Sequence, residues 1–426
     1  MLKCPILLRV LLCGAFANAH ATEPEARETR WYKGNTHTHT LWSDGNDFPE
    51  MVVDWYREHG YDFLALSDHN ILSEGEKWMR LVDIEKRRKS VLGKTPLAKY
   101  QKRFPNDWVE LRGEGEGQEV RLKPLSEFRS QFEKQEEFLL VQAEEISASF
   151  EVPVKNAPAS DGEKPPAKRS LPIHLNALGL EELIKPEKGN SVTDTIRKNV
   201  RAAQAQAERL GREIMVHLNH PNFGWGVTAE DLAHAVEEEF FEVYNGHPSI
   251  NHLGDETHPG DERIWDLVNS LRLGTLNAPA LLGLATDDSH TYHGGDVRPG
   301  RGWVMVQANS LSSDGLIRAM KAGDFYASTG VSLRTVSFDS EARRCRVEVA
   351  PEEGETYRIE FVGSLRGGGP ESVGVVFATH IGTSATYEIG ENELYVRATI
   401  TSNANHTDPS FPLQKKQAWT QPVGWR

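Results

Sequence analysis

Six short apolar runs limit what this chain can fold into. "YDFLAL" (61–66), "FLLVQA" (138–143), "IMVHL" (214–218), "FFEVY" (240–244), "LLGLA" (281–285) and "GWVMVQA" (302–308) are rich in β-branched and aromatic residues and read as buried strands. Helical patterns lie between them, so from Trp31 onward the chain reads as repeated β-α units. Around residue 50 the punctuation is explicit: Asp47 can cap a helix, Pro49 fits its first turn, Glu50 follows Asp47 by three, and Gly60 ends it. Thr228 and Asp231 form a similar start before "LAHAV".

Two stretches interrupt the alternation. Residues 84–137 are rich in Lys, Arg and Glu and are expected to form a helical insertion with a solvated surface. Residues 151–170, "EVPVKNAPASDGEKPPAKRS", lack periodicity and read as a mobile loop. After about residue 335 strands and turns alternate in "CRVEVA", "YRIEFVGSL", "VGVVFATH" and "ELYVRATIT". A main α/β domain over 30–335 and a small antiparallel β domain over 336–426 are therefore expected.

Composition narrows the function classes. With 426 residues, 38% of them hydrophobic, the chain can bury a substantial core. Its net charge of -14 argues against nucleic-acid binding through a basic surface. The opening "MLKCPILLRVLLCGAFANAHA" combines Lys3, an apolar run and small residues at Ala17, Ala19 and Ala21, the pattern of a signal peptide over residues 1–21. A periplasmic or secreted protein is expected, with no membrane span beyond that run. Cys4 and Cys13 fall in the signal, which leaves Cys345 alone. One thiol makes no internal disulfide and no Cys-rich zinc site.

The strand ends carry the chemistry. "NTHTHTLWSDGN" offers His37, His39 and Asp44; "LALSDHN" offers Asp68 and His69; "LLVQAEEIS" offers Glu144; "LPIHLNALG" offers His174; "IMVHLNHPN" offers His220; "LLGLATDDSH" offers Asp288 and His290. In a parallel β/α barrel such ends converge on one face, so residues distant in sequence can surround one pocket. Mixed imidazole and carboxylate donors suit zinc, manganese or iron. Without thiols, a catalytic metal site fits better than a closed structural one. Three positions have competitors. Asp287 competes with Asp288, whose spacing to His290 is preferred. His217 competes with His220, since it falls inside a strand where a core histidine is common. Glu145 competes with Glu144.

As an ordered set, "HTHTLWSDG", "SDHN", Glu144, "HLNALG", "NHP" and "DDSH" resemble the motifs of the polymerase and histidinol phosphatase (PHP) superfamily over about residues 30–330. The resemblance implies a distorted seven-stranded β/α barrel holding two or three divalent transition-metal ions. By motif, His37, His39, Glu144 and Asp288 would share one ion, and Glu144 would bridge to a second held by His174 and His220. Asp44, His69 and His290 would hold a third. The choice of Glu144 over Glu145 rests on the motif alone. Asp68 is expected to orient a ligand imidazole and so to serve catalysis with Glu144 and Asp288.

Such a cluster would bridge a hydroxide between two ions and use it as the nucleophile against an ester, a phosphoester first. Asn245 and His247, followed by His252 and His258, are candidates for substrate binding. Arg298 and Arg301 could grip a phosphate oxygen or form structural ion pairs; Arg301 is the candidate substrate residue. "WSDGNDFPEMVVDWYREHGYDFLALSDHN", "GDFYASTG" and "AWTQPV" resemble the exported PHP-type branch that includes carbaryl hydrolases. That branch implies an alternative, hydrolysis of a carbamate or carboxylic ester at the same site. A second alternative is an idle metal-dependent binding protein. In every enzymatic reading the partner is a small-molecule ester.

Overall fold

A computed structural model describes residue 1 and residues 29–87, 96–105, 107–154 and 168–425. The expected signal peptide, apart from Met1, lies outside the described residues. Among those described, no helix is long and apolar enough to cross a membrane.

The six apolar runs all form strands of one thirteen-stranded sheet. In chain order its first eight strands are β1 (Arg30–Asn35), β2 (Phe63–Leu66), β3 (Leu139–Pro153), β4 (Lys168–Leu178), β5 (Met215–Leu218), β6 (Phe240–Asn245), β7 (Leu282–Thr286) and β8 (Trp303–Ala308). β9 (Phe325–Ser328), β10 (Tyr357–Leu365), β11 (Val375–Ile381), β12 (Glu393–Asn405) and β13 (Lys415–Thr420) complete it. The order across the sheet is β7-β6-β5-β4-β3-β2-β1-β8-β9-β13-β12-β10-β11. β1, β2 and β3 are parallel, as are β5, β6 and β7; β4 and β8 run against their neighbours.

The first part of the sheet curls on itself. β7 lies at the far edge, yet its Cα atoms come within 8 Å of those of β8 and β9. In place of a ladder, side chains fasten this edge. The Gln421 side-chain amide donates to Gly283 O and accepts from Gly283 N, both at 2.9 Å. The C-terminal strands thus continue the same sheet across the boundary expected near residue 335. Only Leu333–Asp339, Arg344–Val349 and Ser384–Glu388 form a separate three-stranded sheet there. Trp419 of β13 is fully buried in one apolar cluster with Phe241, Trp265 and Ala285. Beside it, Arg397 of β12 pairs with buried Asp266 at 2.9 Å.

The expected helix forms over Pro49–Glu58, with Pro49 in its first turn. Phe48, not Asp47, is its N-cap; the Asp47 carboxylate instead accepts from Phe48 N and from Lys99 Nζ. At Ala229–His234 the Thr228–Asp231 capping box is complete.

Both interruptions differ from expectation. The 84–137 segment is not purely helical: Glu119–Leu122 pairs with Lys77–Arg80 and Leu111–Arg112, and short helices flank this small sheet. Nor is it a solvated appendage. Tyr100, Phe104, Val120, Leu122, Phe128 and Phe132 are buried with Phe48, Val52 and Tyr56. Each such side chain removed from water contributes about 1.5–3 kcal/mol, which outweighs the charged exterior that dominates the sequence. Of 151–170, residues 151–153 and 168–170 extend β3 and β4 as a hairpin, paired from Glu151–Ser170 to Pro153–Lys168. Residues 155–167 lie outside the described residues.

A buried carboxyl anchors the insertion to the helix. Glu50 Oε1 accepts from Tyr100 Oη at 2.6 Å and from Trp108 Nε1 at 3.0 Å, and burial pushes its pKa up to about 7. The folded protein therefore keeps a proton that the unfolded chain releases above about pH 4.5. Stability contributed by this group is full below that pH and is lost as pH rises through about 7, by about 3 kcal/mol. Glu50→Gln should lose less stability than wild type between pH 5 and pH 8 in chemical denaturation. An identical pH dependence in the two proteins would refute the assignment.

Candidate metal centre

The histidines of "NTHTHT" are aimed by backbone pairing. Beyond β1, Thr38 bridges to Ser289, His39 N donates to Ser289 O, and Ser67 N donates to Thr38 O. Held extended, His37 and His39 project to the same side, as residues two apart must. Asn35 Oδ1 accepts from His37 N at 3.0 Å. The chain then turns sharply over Thr40–Gly45, and a Cβ on Gly45 would lie 2.6 Å from His39 O.

Asp68 builds that turn. Its carboxylate accepts from Thr40 N, Thr40 Oγ1, Ser43 N and Ser43 Oγ. Among the described residues it makes no hydrogen bond to a candidate imidazole. Its influence on His39 passes through Ser43 Oγ, 3.3 Å from His39 Nδ1.

The expected Glu144 position is corrected by strand geometry. β3 continues to Pro153, so Glu144 and Glu145 lie inside a strand and face opposite sides of the sheet. Glu144 Oε1 accepts from Ile184 N at 2.6 Å, and burial raises its pKa to about 8. Glu145 faces the histidines. Its Oε2 lies 2.8 Å from His69 Nδ1, 3.3 Å from His39 Nε2 and 3.5 Å from His37 Nε2. Its Oε1 lies 3.0 Å from His174 Nδ1 and 3.5 Å from His220 Nε2. The sequence held a clue: Ile146, Ala148 and Phe150 alternate with Ser147 and Ser149, and the polar set shares its face with Glu145. His174 also sits within a strand, β4, opposite Ser147, and reaches the site because β4 runs against β3.

His220 follows β5 and Asp288 follows β7, with φ of +25° and +48°. Such left-handed backbone at non-glycine residues costs on the order of 1–3 kcal/mol and is concentrated at functional sites. His217 is buried inside β5, 4.0 Å from Glu242. Asp287 points away from the histidines and accepts from the amides of Gly300, Arg301 and Gly302.

Four overlapping groups of side chains could each hold an ion: His39–Asp44–His69–His290, His37–Glu145–His220, His37–His39–Asp288 and His69–Glu145–His174. They draw on the nine expected positions with Glu145 in place of Glu144. Around His37, His39, Glu145 and Asp288 the donor spacing itself tests the fit. Donors about 2.0–2.2 Å from a tetrahedral ion stand about 3.3–3.6 Å apart. His37 Nε2 is 3.2 Å from His39 Nε2, 3.5 Å from Glu145 Oε2 and 3.3 Å from Asp288 Oδ1. His39 Nε2 is 3.3 Å and 3.2 Å from the same two oxygens. Glu145 Oε2 and His174 Nδ1 are buried with imidazole or carboxylate atoms at 2.8 Å and 3.0 Å but no well-directed hydrogen bond, as ligand atoms arranged around an ion would be.

The charges fit as well. Burial opposes ionisation of Glu145 and Asp288, but the surrounding histidines hold both well below the usual carboxylate range. Burial, with His290 and His69 nearby, lowers His39 to about 3, so its ring is neutral and has a lone pair to offer an ion. At His69 and His37 burial is outweighed by nearby carboxylates, which raise His69 to about 9 and His37 well above the usual imidazole range, so a bound ion would have to displace a proton from each ring.

Asp44, His69, Glu145, His174, His220, Phe223, His247, Ile250, Asp288 and His290 line a cavity of about 130 Å³. Of the expected substrate residues only His247 faces it. Asn245 donates to Glu242 Oε2 and Asp288 Oδ2 and so braces the site. Arg301 is buried, and its guanidinium is consumed by Gly246 O, Asp296 O and Asp408. Arg298 also pairs with Asp408, so both arginines are structural here. His252 pairs with Asp261, and His258 stacks on Trp225. Glu242 escaped the sequence reading. It lies 2.7 Å from His37 Nδ1, and its signal is one glutamate inside the apolar run "FFEVYN".

No family model matches the chain, and no curated protein matches it. Among solved structures it is similar to a two-domain protein containing a predicted PHP-like metal-dependent phosphoesterase from Bacteroides vulgatus. The identity is 15%, the TM-score is 0.38, and the match covers 96% of this chain and 100% of that one.

Glu145→Gln should lose most of the ion content that wild type retains after loading with Mn2+ or Zn2+ and dialysis, measured by elemental analysis. Glu144→Gln should keep it. Wild-type content in the first variant, or loss in the second, would refute the placement.

Proposed function

We propose that this chain is an exported, multinuclear metal-dependent hydrolase of ester bonds, a phosphoesterase of PHP type. The observation that carries the reading is the convergence of nine imidazole and carboxylate side chains in four overlapping groups, seven of the nine lining one cavity. The apolar run near the N-terminus carries the export part. Divalent ions held by these residues would supply Lewis acidity and activate water near neutral pH.

The chain's own groups have separate tasks. Glu145 belongs to the groups containing His37 and His69, and so would contribute to holding an ion in each. Asp68 fixes the turn that carries His39 and Asp44. His247 Nδ1 accepts from Ser249 N at 3.0 Å, so its neutral ring carries the proton on Nε2 and can donate to a substrate oxygen. The cavity is small beside the 300–1,000 Å³ common for ligand sites, so it would hold the reacting group while the remainder of the substrate lies outside.

One observation favours a second reading, hydrolysis of a carbamate or carboxylic ester. None of the described residues lining the cavity is Lys or Arg, and Phe223 and Ile250 give it an apolar wall. A phosphoryl group would be neutralised by the ions alone, whereas a carbonyl ester would ask for less positive charge.

Metal-loaded protein should hydrolyse p-nitrophenyl phosphate or bis(p-nitrophenyl) phosphate faster than p-nitrophenyl acetate or an aryl N-methylcarbamate, and EDTA should abolish turnover. The reverse ranking would assign the second reading. No turnover of any member by metal-loaded protein would refute the hydrolase assignment.

A further inference from the structure

Glu242 is completely buried on β6, in a strand otherwise without ionisable groups except Tyr244. Each of its oxygens accepts two hydrogen bonds. Oε1 receives His37 Nδ1 and Thr286 Oγ1, both at 2.7 Å. Oε2 receives His220 N and Asn245 Nδ2, both at 2.8 Å. Four donors match the four lone pairs of an ionised carboxylate, the condition under which a buried anion is tolerated.

These bonds act on two cation-binding groups at once. The bond to Nδ1 holds a proton on that nitrogen, so that a cation displacing the Nε2 proton would meet a lone pair facing His39, Glu145 and Asp288. On the other oxygen, the bond to His220 N secures a backbone whose φ is +25°. Rotating the carboxylate to release one histidine also releases the other.

We propose that Glu242 is a positioning residue that couples the His37–His39–Asp288 group to the His37–Glu145–His220 group. The inference rests on the reading that these groups hold divalent cations. A glutamine cannot replace it, because its amide NH2 would face a donor on whichever side it occupied.

The test is Mn2+ binding to the full chain by calorimetry, with long-range 1H–15N spectra of the Zn2+-loaded protein to read the His37 tautomer. Glu242→Gln should bind Mn2+ about 10- to 100-fold more weakly and lose the single Nδ1–H form of His37. Thr286→Val, which removes one donor to Oε1, should weaken binding about 3- to 10-fold. Glu144→Gln, a buried carboxyl outside the cluster, should bind as wild type does. Wild-type affinity and tautomer in Glu242→Gln would overturn the inference alone. If that variant fails to fold, unchanged Mn2+ affinity in Thr286→Val overturns it. Absence of Mn2+ binding by the wild-type protein would overturn the metal reading and this inference together.

Discussion

The curled sheet depends on one buried carboxylate. Asp287, at the end of β7, accepts from three successive amides, Gly300, Arg301 and Gly302, as the chain enters β8. It also accepts from Tyr56 Oη at 2.8 Å and Asn35 Nδ2 at 2.5 Å. Burial pushes its pKa up, and these donors oppose that cost. The end of β1, the helix Pro49–Glu58 and the start of β8 are thereby fixed to the residue before Asp288. Closure of the sheet and placement of a candidate ligand follow from one set of bonds.

Around that fixed point the site is held by amides and hydroxyls. Asn219 Nδ2 donates to Glu145 Oε1 and to Asn176 Oδ1, while Asn176 Nδ2 donates to Thr36 O and Ser67 Oγ. The imidazoles are crowded: the His39 ring lies 4.0 Å from that of His290 and 4.6 Å from that of His69. Rings this close repel when charged, and the buried carboxylates among them are the compensating charge. A cation would relieve the repulsion between those carboxylates and order the lone pairs that converge on it.

Much of this was legible in the sequence, for identifiable reasons. Strand positions followed from the apolar runs, since a fully buried strand has little freedom in composition. His37, His39, His69, His220, Asp288 and His290 stand just beyond strand ends, where polar residues interrupt the apolar runs and betray the pocket. Glu144 and Glu145 stand mid-strand, where a slip of one residue reverses the face, and a family motif alone could not separate them. Arg301 stayed ambiguous because an arginine beside a pocket has the same sequence signature whether it meets substrate or backbone carbonyls. The 84–137 segment looked solvated since its charges outnumber its aromatic residues, yet the aromatic residues decide where it packs. Continuity of the sheet past residue 335 was not legible, because pairing between strands far apart in sequence leaves no local pattern.

That continuity has a mechanical consequence. β9 has β8 on one side and β13 on the other, while Gln421 beyond β13 grips the backbone of β7. The last ninety or so residues therefore splint the strands that carry the site, with shared ladders where a hinge would otherwise be. A force or a bound partner acting on the C-terminal strands would be felt at Asp287 and Asp288 as a change in how tightly the curl is drawn.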